Sequence, residues 1–96
     1  MKFMKKPVVV EAVQLSSKDF LQEPEWFRQA VKSGEISVHQ STTYYVQYVI
    51  KTLEDGVLGE AKHIADINDW IIRGVKGELY ACKPDIFELT YQRVVD

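Results

Sequence analysis

The chain has 96 residues, 46% of them hydrophobic and 11% aromatic, which suits one compact domain built on one core. Twelve Lys and Arg stand against fourteen Asp and Glu, for a net charge of −2, and this argues against duplex nucleic acid as a partner, since that needs a basic surface. The single cysteine, Cys82, excludes an intrachain disulfide and fits a reducing cytoplasm, and no apolar run has the length of a signal or spanning segment, so no membrane association is expected.

Pro7 to Leu15 reads as the first strand, with Val8, Val10 and Ala12 on one face and Val9, Glu11, Val13 and Leu15 on the other. Residues 16 to 19 are a polar break. A main helix is predicted over about 24–33. Pro24 suits its first turn, and Glu23 and Glu25 sit at the positive end of its dipole. Trp26, Phe27, Ala30 and Val31 make one buried stripe, and Gly34 supplies a left-handed stop.

Ile36 to His39 reads as a short strand. A long strand then ends at Leu53, with Tyr44, Val46, Tyr48 and Ile50 on one face and Tyr45, Gln47, Val49 and Lys51 on the other. Asp55-Gly56 predicts a tight turn, and a return strand runs from Val57 to about His63. Residues 64–69 connect to a second hairpin, Trp70 to Arg73 and Glu78 to Cys82, around Gly74-Val-Lys-Gly77. Pro84 opens a short helix over about 84–89, with Ile86, Phe87 and Tyr91 facing inward, and Tyr91 to Val95 reads as a closing strand.

The expected fold is therefore α+β, a single domain over 1–96. One curved antiparallel sheet of about five to six strands is covered by the main helix, with the short helix at one end. One nine-residue helix covers only part of the two-sided aromatic strand, so a homo-oligomer is expected.

Chemistry-bearing residues are few. His39, His63 and Cys82 lie at no metal-ligand spacing, and neither a metal nor a cofactor is expected. Cys82 precedes a helix start, which would favour its thiolate, but it alternates with Tyr80 and reads first as a buried structural thiol. Asp66 with Asp69, and Glu54 with Asp55, are turn carboxylates rather than an acid and base in different environments. Gly74-Val-Lys-Gly77 lacks the length and the Lys-Ser/Thr ending of a phosphate loop. No catalytic residue is assigned, and an enzyme is not expected. The remaining set is Arg73, Lys76 and Lys83 with the aromatics Trp70 and Tyr80. These five are the candidate binding residues, suited to an acidic protein patch or a small anionic ligand, and set against the plainer role of a solvated hairpin tip.

The stretch Asp69-Trp-Ile-Ile-Arg-Gly-Val-Lys-Gly-Glu-Leu-Tyr-Ala-Cys-Lys-Pro-Asp-Ile-Phe-Glu-Leu-Thr-Tyr91 resembles a family of small, uncharacterised phage and prophage proteins related to the PGDYG domain. Its most specific part is Cys82-Lys-Pro-Asp-Ile-Phe87. Lys6-Pro-Val-Val-Val-Glu-Ala-Val-Gln-Leu15 resembles that family's first strand, and together the two ends cover about a third of the chain. The resemblance implies a phage or prophage origin and a place in the host cytoplasm, and it names no activity. The expected function is a non-enzymatic accessory protein that binds a bacterial host or defence protein. The alternatives are a protein that sequesters a nucleotide signal and a virion or morphogenesis component. Relatives often carry Pro-Gly where this chain has Ile67-Asn68, and Asn tolerates the left-handed backbone that Gly would supply. Ala81 stands where many have Pro, which frees an N–H for strand pairing.

Overall fold

A computed structural model describes residues 1–16, 24–40, 46–54 and 57–95, with the backbone alone for 40, 52–54 and 57–62. The elements in chain order are β1 (Glu11–Gln14), α1 (Glu25–Ser33), β2 (Ile36–Gln40), β3 (Val46–Glu54), β4 (Val57–Asp66), β5 (Trp70–Arg73), β6 (Leu79–Cys82) and α2 (Pro84–Thr90). The fold is α+β, as the patterning predicts. It is built not on one sheet of five or six strands but on two antiparallel sheets of three strands, ordered β1-β5-β6 and β2-β3-β4.

The reason lies between β4 and β5. The chain turns there through Ile67 and Asn68, and the Asp69 N–H donates to the Asp66 carbonyl at 3.1 Å. Asn68 takes a φ of 78°, the positive value that the third residue of a type II turn requires. This turn ends one ladder and starts another, so β5 pairs with β1 and β6 and not with β4. It also lengthens β4, which runs to Asp66 and not only to about His63.

The first strand is shorter than the Pro7–Leu15 pattern suggests. β5 offers only four residues, and these pair Glu11 with Arg73, Ala12 with Ile72, Val13 with Ile71 and Gln14 with Trp70. Val8 and Val9 lie before the ladder and are exposed. Likewise residues 91–95 form no strand, and Val94 and Val95 are exposed. Glu54 pairs with Val57 at the end of the β3–β4 ladder. The Asp55-Gly56 turn between them, and Tyr44 and Tyr45, lie outside the described residues.

The two sheets share one core. Val13, Leu15, Ile71 and Leu79 come from the first sheet and its flank; Ile36, Val46, Tyr48, Ile50 and Ala65 come from the second. α1 closes the core with Phe27 and Ala30 buried, and Trp26 and Val31 pack partly buried against it, as the stripe predicts. The Phe27 ring lies 6.1 Å from that of Tyr48. Gly34 ends α1 at φ 87°, donating its N–H to the Val31 carbonyl. Val46, Tyr48 and Ile50 are thus covered, so the described part of β3 does not present the bare aromatic face from which a homo-oligomer was expected.

The first sheet is apolar on both faces. Ile71 enters the shared core, while Ile72, the next residue, is fully buried on the opposite side, beside Ala12 and Tyr80 in register. α2 meets that second face at Trp70, whose ring stacks on Phe87, and at Tyr80, whose hydroxyl meets that of Tyr91.

Asn68→Val sets a β-branched side chain at positive φ and should cost about 1–3 kcal/mol in chemical denaturation. Asn68→Gly should stay within about 1 kcal/mol of the parent, because glycine takes that conformation freely. Equal stability of the Val variant would mean that the turn is made another way.

Candidate functional site

Residues 69–91 hold β5, β6 and α2, and the charged groups at the base of the hairpin are joined around one buried carboxylate. Asp69 is the buried carboxylate of the described residues, 4% exposed. Its Oδ2 accepts the Asp66 backbone N–H at 2.9 Å and the Lys83 ammonium at 2.8 Å. Its carbonyl accepts the Leu15 N–H at 2.8 Å, and the Leu15 carbonyl in turn accepts the Asn68 N–H. Asp66 lies 3.6 Å from the same ammonium and accepts the Gln47 side chain at 3.2 Å on its other oxygen. The hydrogen bond from Lys83 to Asp69, reinforced by both carboxylate charges, raises the lysine pKa above its ordinary value.

On the other face an aromatic column forms. Phe87 of α2 stacks on Trp70 of β5 with centroids 3.9 Å apart and planes 5° from parallel. Tyr91 stacks on Phe87 at 4.9 Å, and Lys5 holds its ammonium 5.2 Å from the Tyr91 ring. The Tyr80 and Tyr91 hydroxyls share a hydrogen bond of 3.1 Å. Burial, and then that bond, push the Tyr80 pKa from 10.0 up to about 12. α2 itself buries none of its residues fully. Ile86, expected to face inward, is half exposed and Leu89 is 85% exposed, because a helix of seven residues lying on one stack keeps only Phe87 against the sheet.

The five candidate residues divide between the two faces. By strand register Arg73 lies on the α1 side, while Trp70 and Tyr80 lie on the α2 side, and Lys83 follows the end of β6 with its ammonium at Asp69. Arg73 forms an exposed ion pair with Glu11 at 3.4 Å. Lys76 sits on the hairpin tip, where its backbone N–H donates to Glu78 at 2.9 Å. Trp70 spends one ring face on Phe87. Lys83 is exposed, but its ammonium is held by two carboxylates, the buried Asp69 and the half-exposed Asp66. Asp69, Asp66 and Phe87 are the residues that sequence reasoning missed as neighbours of this set. Asp69 had one usable signal, since it falls opposite Lys83 when the β5–β6 hairpin is extended by one pair beyond Trp70 and Cys82.

Cys82 is half-buried rather than fully buried, and its S–H lies 3.6 Å from the Lys83 carbonyl. Burial and the charges of Asp85 and Asp69 push its pKa up, which disfavours a thiolate at neutral pH. The adjacent lysine does not offset this, because its ammonium points to Asp69. Among the described residues, no three of His, Cys, Asp and Glu gather as metal ligands, and no helix is long and apolar enough to cross a membrane.

Asp69→Ala leaves the part-buried Asp66 N–H without its acceptor, while Lys83 keeps Asp66 and water, and the loss should cost about 1–3 kcal/mol in denaturant unfolding. A variant as stable as the parent would show that the turn stands without the carboxylate. Alkaline behaviour follows from Tyr80. Its folded pKa lies above its unfolded one, so the stability it contributes is complete below about pH 10 and is lost as pH rises toward about 12. Tyr80→Phe should therefore narrow the stability gap between about pH 9 and about pH 11.5, and an unchanged gap would refute the assignment. No family model, curated protein or solved structure matches this chain.

Proposed function

We propose that this chain is a phage or prophage accessory protein that acts by binding a bacterial host or defence protein, through the outer surface of the β5–β6–α2 unit. The observation that carries the reading is the way α2 is mounted. Its Phe87 is fixed against Trp70, while Ile86 and Leu89 face water on a short helix that needs neither for its own packing. Apolar side chains presented to solvent on a formed helix suit a protein partner, because binding would bury them. Val75 on the hairpin tip is also exposed, next to Lys76. The resemblance of residues 69–91 to phage and prophage proteins supplies the host context. A small anionic ligand is less well served, since Lys83 is already shared by Asp66 and Asp69.

Affinity capture from bacterial lysate, with mass spectrometry of proteins and small molecules, tests the reading when run beside variants. Ile86→Glu with Leu89→Glu should keep the melting temperature within a few degrees and lose the captured protein. Arg73→Glu should weaken capture if the partner surface is acidic. Lys83→Glu is unsuited to this purpose, because it would set a third carboxylate beside Asp66 and Asp69. Retention of the partner by the folded Ile86/Leu89 variant would rule out α2 as the contact. Recovery of a nucleotide in place of a protein would favour the ligand-sequestering alternative.

A further inference from the structure

We propose that the basic, apolar N-terminal arm of one copy docks in the acidic cleft between α1 and the β5–β6 hairpin of a second copy. Residues 1–10 form no helix or strand, and Met1, Phe3 and Met4 are almost wholly exposed. They alternate with Lys2, Lys5 and Lys6. Three of the twelve basic residues thus fall in the first six positions, and the rest of the chain holds nine against fourteen acidic ones. Three large apolar side chains left in water represent unburied surface that a docking contact would remove.

The cleft matches the arm in both polarity and charge. Its volume is about 730 Å³, with Trp26, Ala30 and Leu79 among its apolar lining and Glu11, Glu25 and Glu35 among its polar lining. Arg73, the cation among its lining residues, is already paired with Glu11. The site is therefore net acidic beside apolar wall, and the arm is net basic between apolar side chains, which is the complementarity that selects a partner and speeds encounter.

A second copy is favoured over the same chain by where the arm starts. Lys5 lies against Tyr91, on the α2 side of the first sheet. The cleft opens on the α1 side, where Glu11, Arg73 and Leu79 share a face. The arm is anchored away from its own cleft and is free to enter a neighbour's. A two-fold arrangement makes the exchange reciprocal, with each copy giving one arm and receiving one. This inference is independent of the partner surface proposed for α2.

Sedimentation equilibrium of the full chain provides the test. At low salt the protein should sediment as a dimer, and its dissociation constant should rise at least about tenfold at high salt. Lys2→Glu with Lys6→Glu, and separately Glu25→Lys with Glu35→Lys, should each weaken the dimer by at least about tenfold while circular dichroism stays unchanged. An equimolar mixture of the two variants should recover the dimer, because each arm then meets a cleft of opposite charge. The arm residues are exposed, so the arm variant remains decisive even where the helix variant loses structure. A parent chain that stays at 11.1 kDa at every concentration overturns the proposal. So do variants that dimerise like the parent, and so does a mixture of two folded variants that remains monomeric.

Discussion

Asp69 is the point at which the two sheets are joined, and the arrangement of everything after β4 depends on how its carboxylate is satisfied. A charged group taken out of water is tolerated only when hydrogen bonds replace the lost hydration. Here one oxygen receives a backbone N–H from the end of β4 and an ammonium from the end of β6, while the carbonyl of the same residue receives an N–H from the residue after β1. Four chain segments meet at one residue. The left-handed Asn68 just before it brings the backbone round, so sheet topology follows from one dihedral angle and one carboxylate.

This joint leaves the first sheet clothed on both sides, which is unusual for three short strands. On one side Ile71 and Leu79 belong to the shared core. On the other, Ile72 is fully buried on the face that also carries the Trp70–Phe87 stack. The chain thereby separates two tasks. The α1 side carries the burial that holds the domain together, and the α2 side is a shallow platform that can present side chains outward without opening the core.

Much of this was legible in the sequence, and the part that was not has a physical explanation. α1 was readable because Pro24, the Trp26–Phe27–Ala30–Val31 stripe and Gly34 all favour the same helix. The β5–β6 hairpin and the start of α2 at Pro84 were readable for similar reasons of local chemistry. The division into two sheets was hidden, because strand patterning tells which face is buried but not which neighbour a strand takes. The frayed ends, residues 7–10 and 91–95, look like strands by composition and lack only partners. Among the candidate residues, Arg73, Lys76 and Lys83 read as one cationic set in the sequence. Their separation depends on which face each position takes, and the loss of Lys83 to Asp69 depends on a contact fourteen residues away along the chain.

The stack of Phe87 on Trp70 carries a dynamic consequence. α2 is seven residues long, has no side-chain cap and buries nothing completely, so its attachment resides chiefly in one pair of rings and the Tyr80–Tyr91 hydroxyl contact. Segments held by so few contacts open locally at far less cost than the whole domain. Detachment of α2 would free the indole of Trp70 from Phe87, while Trp26, on the far side of the sheet, would keep its surroundings against Phe27. The two tryptophans are therefore natural reporters of two separate melting events: one registers the platform lifting, the other the core itself giving way.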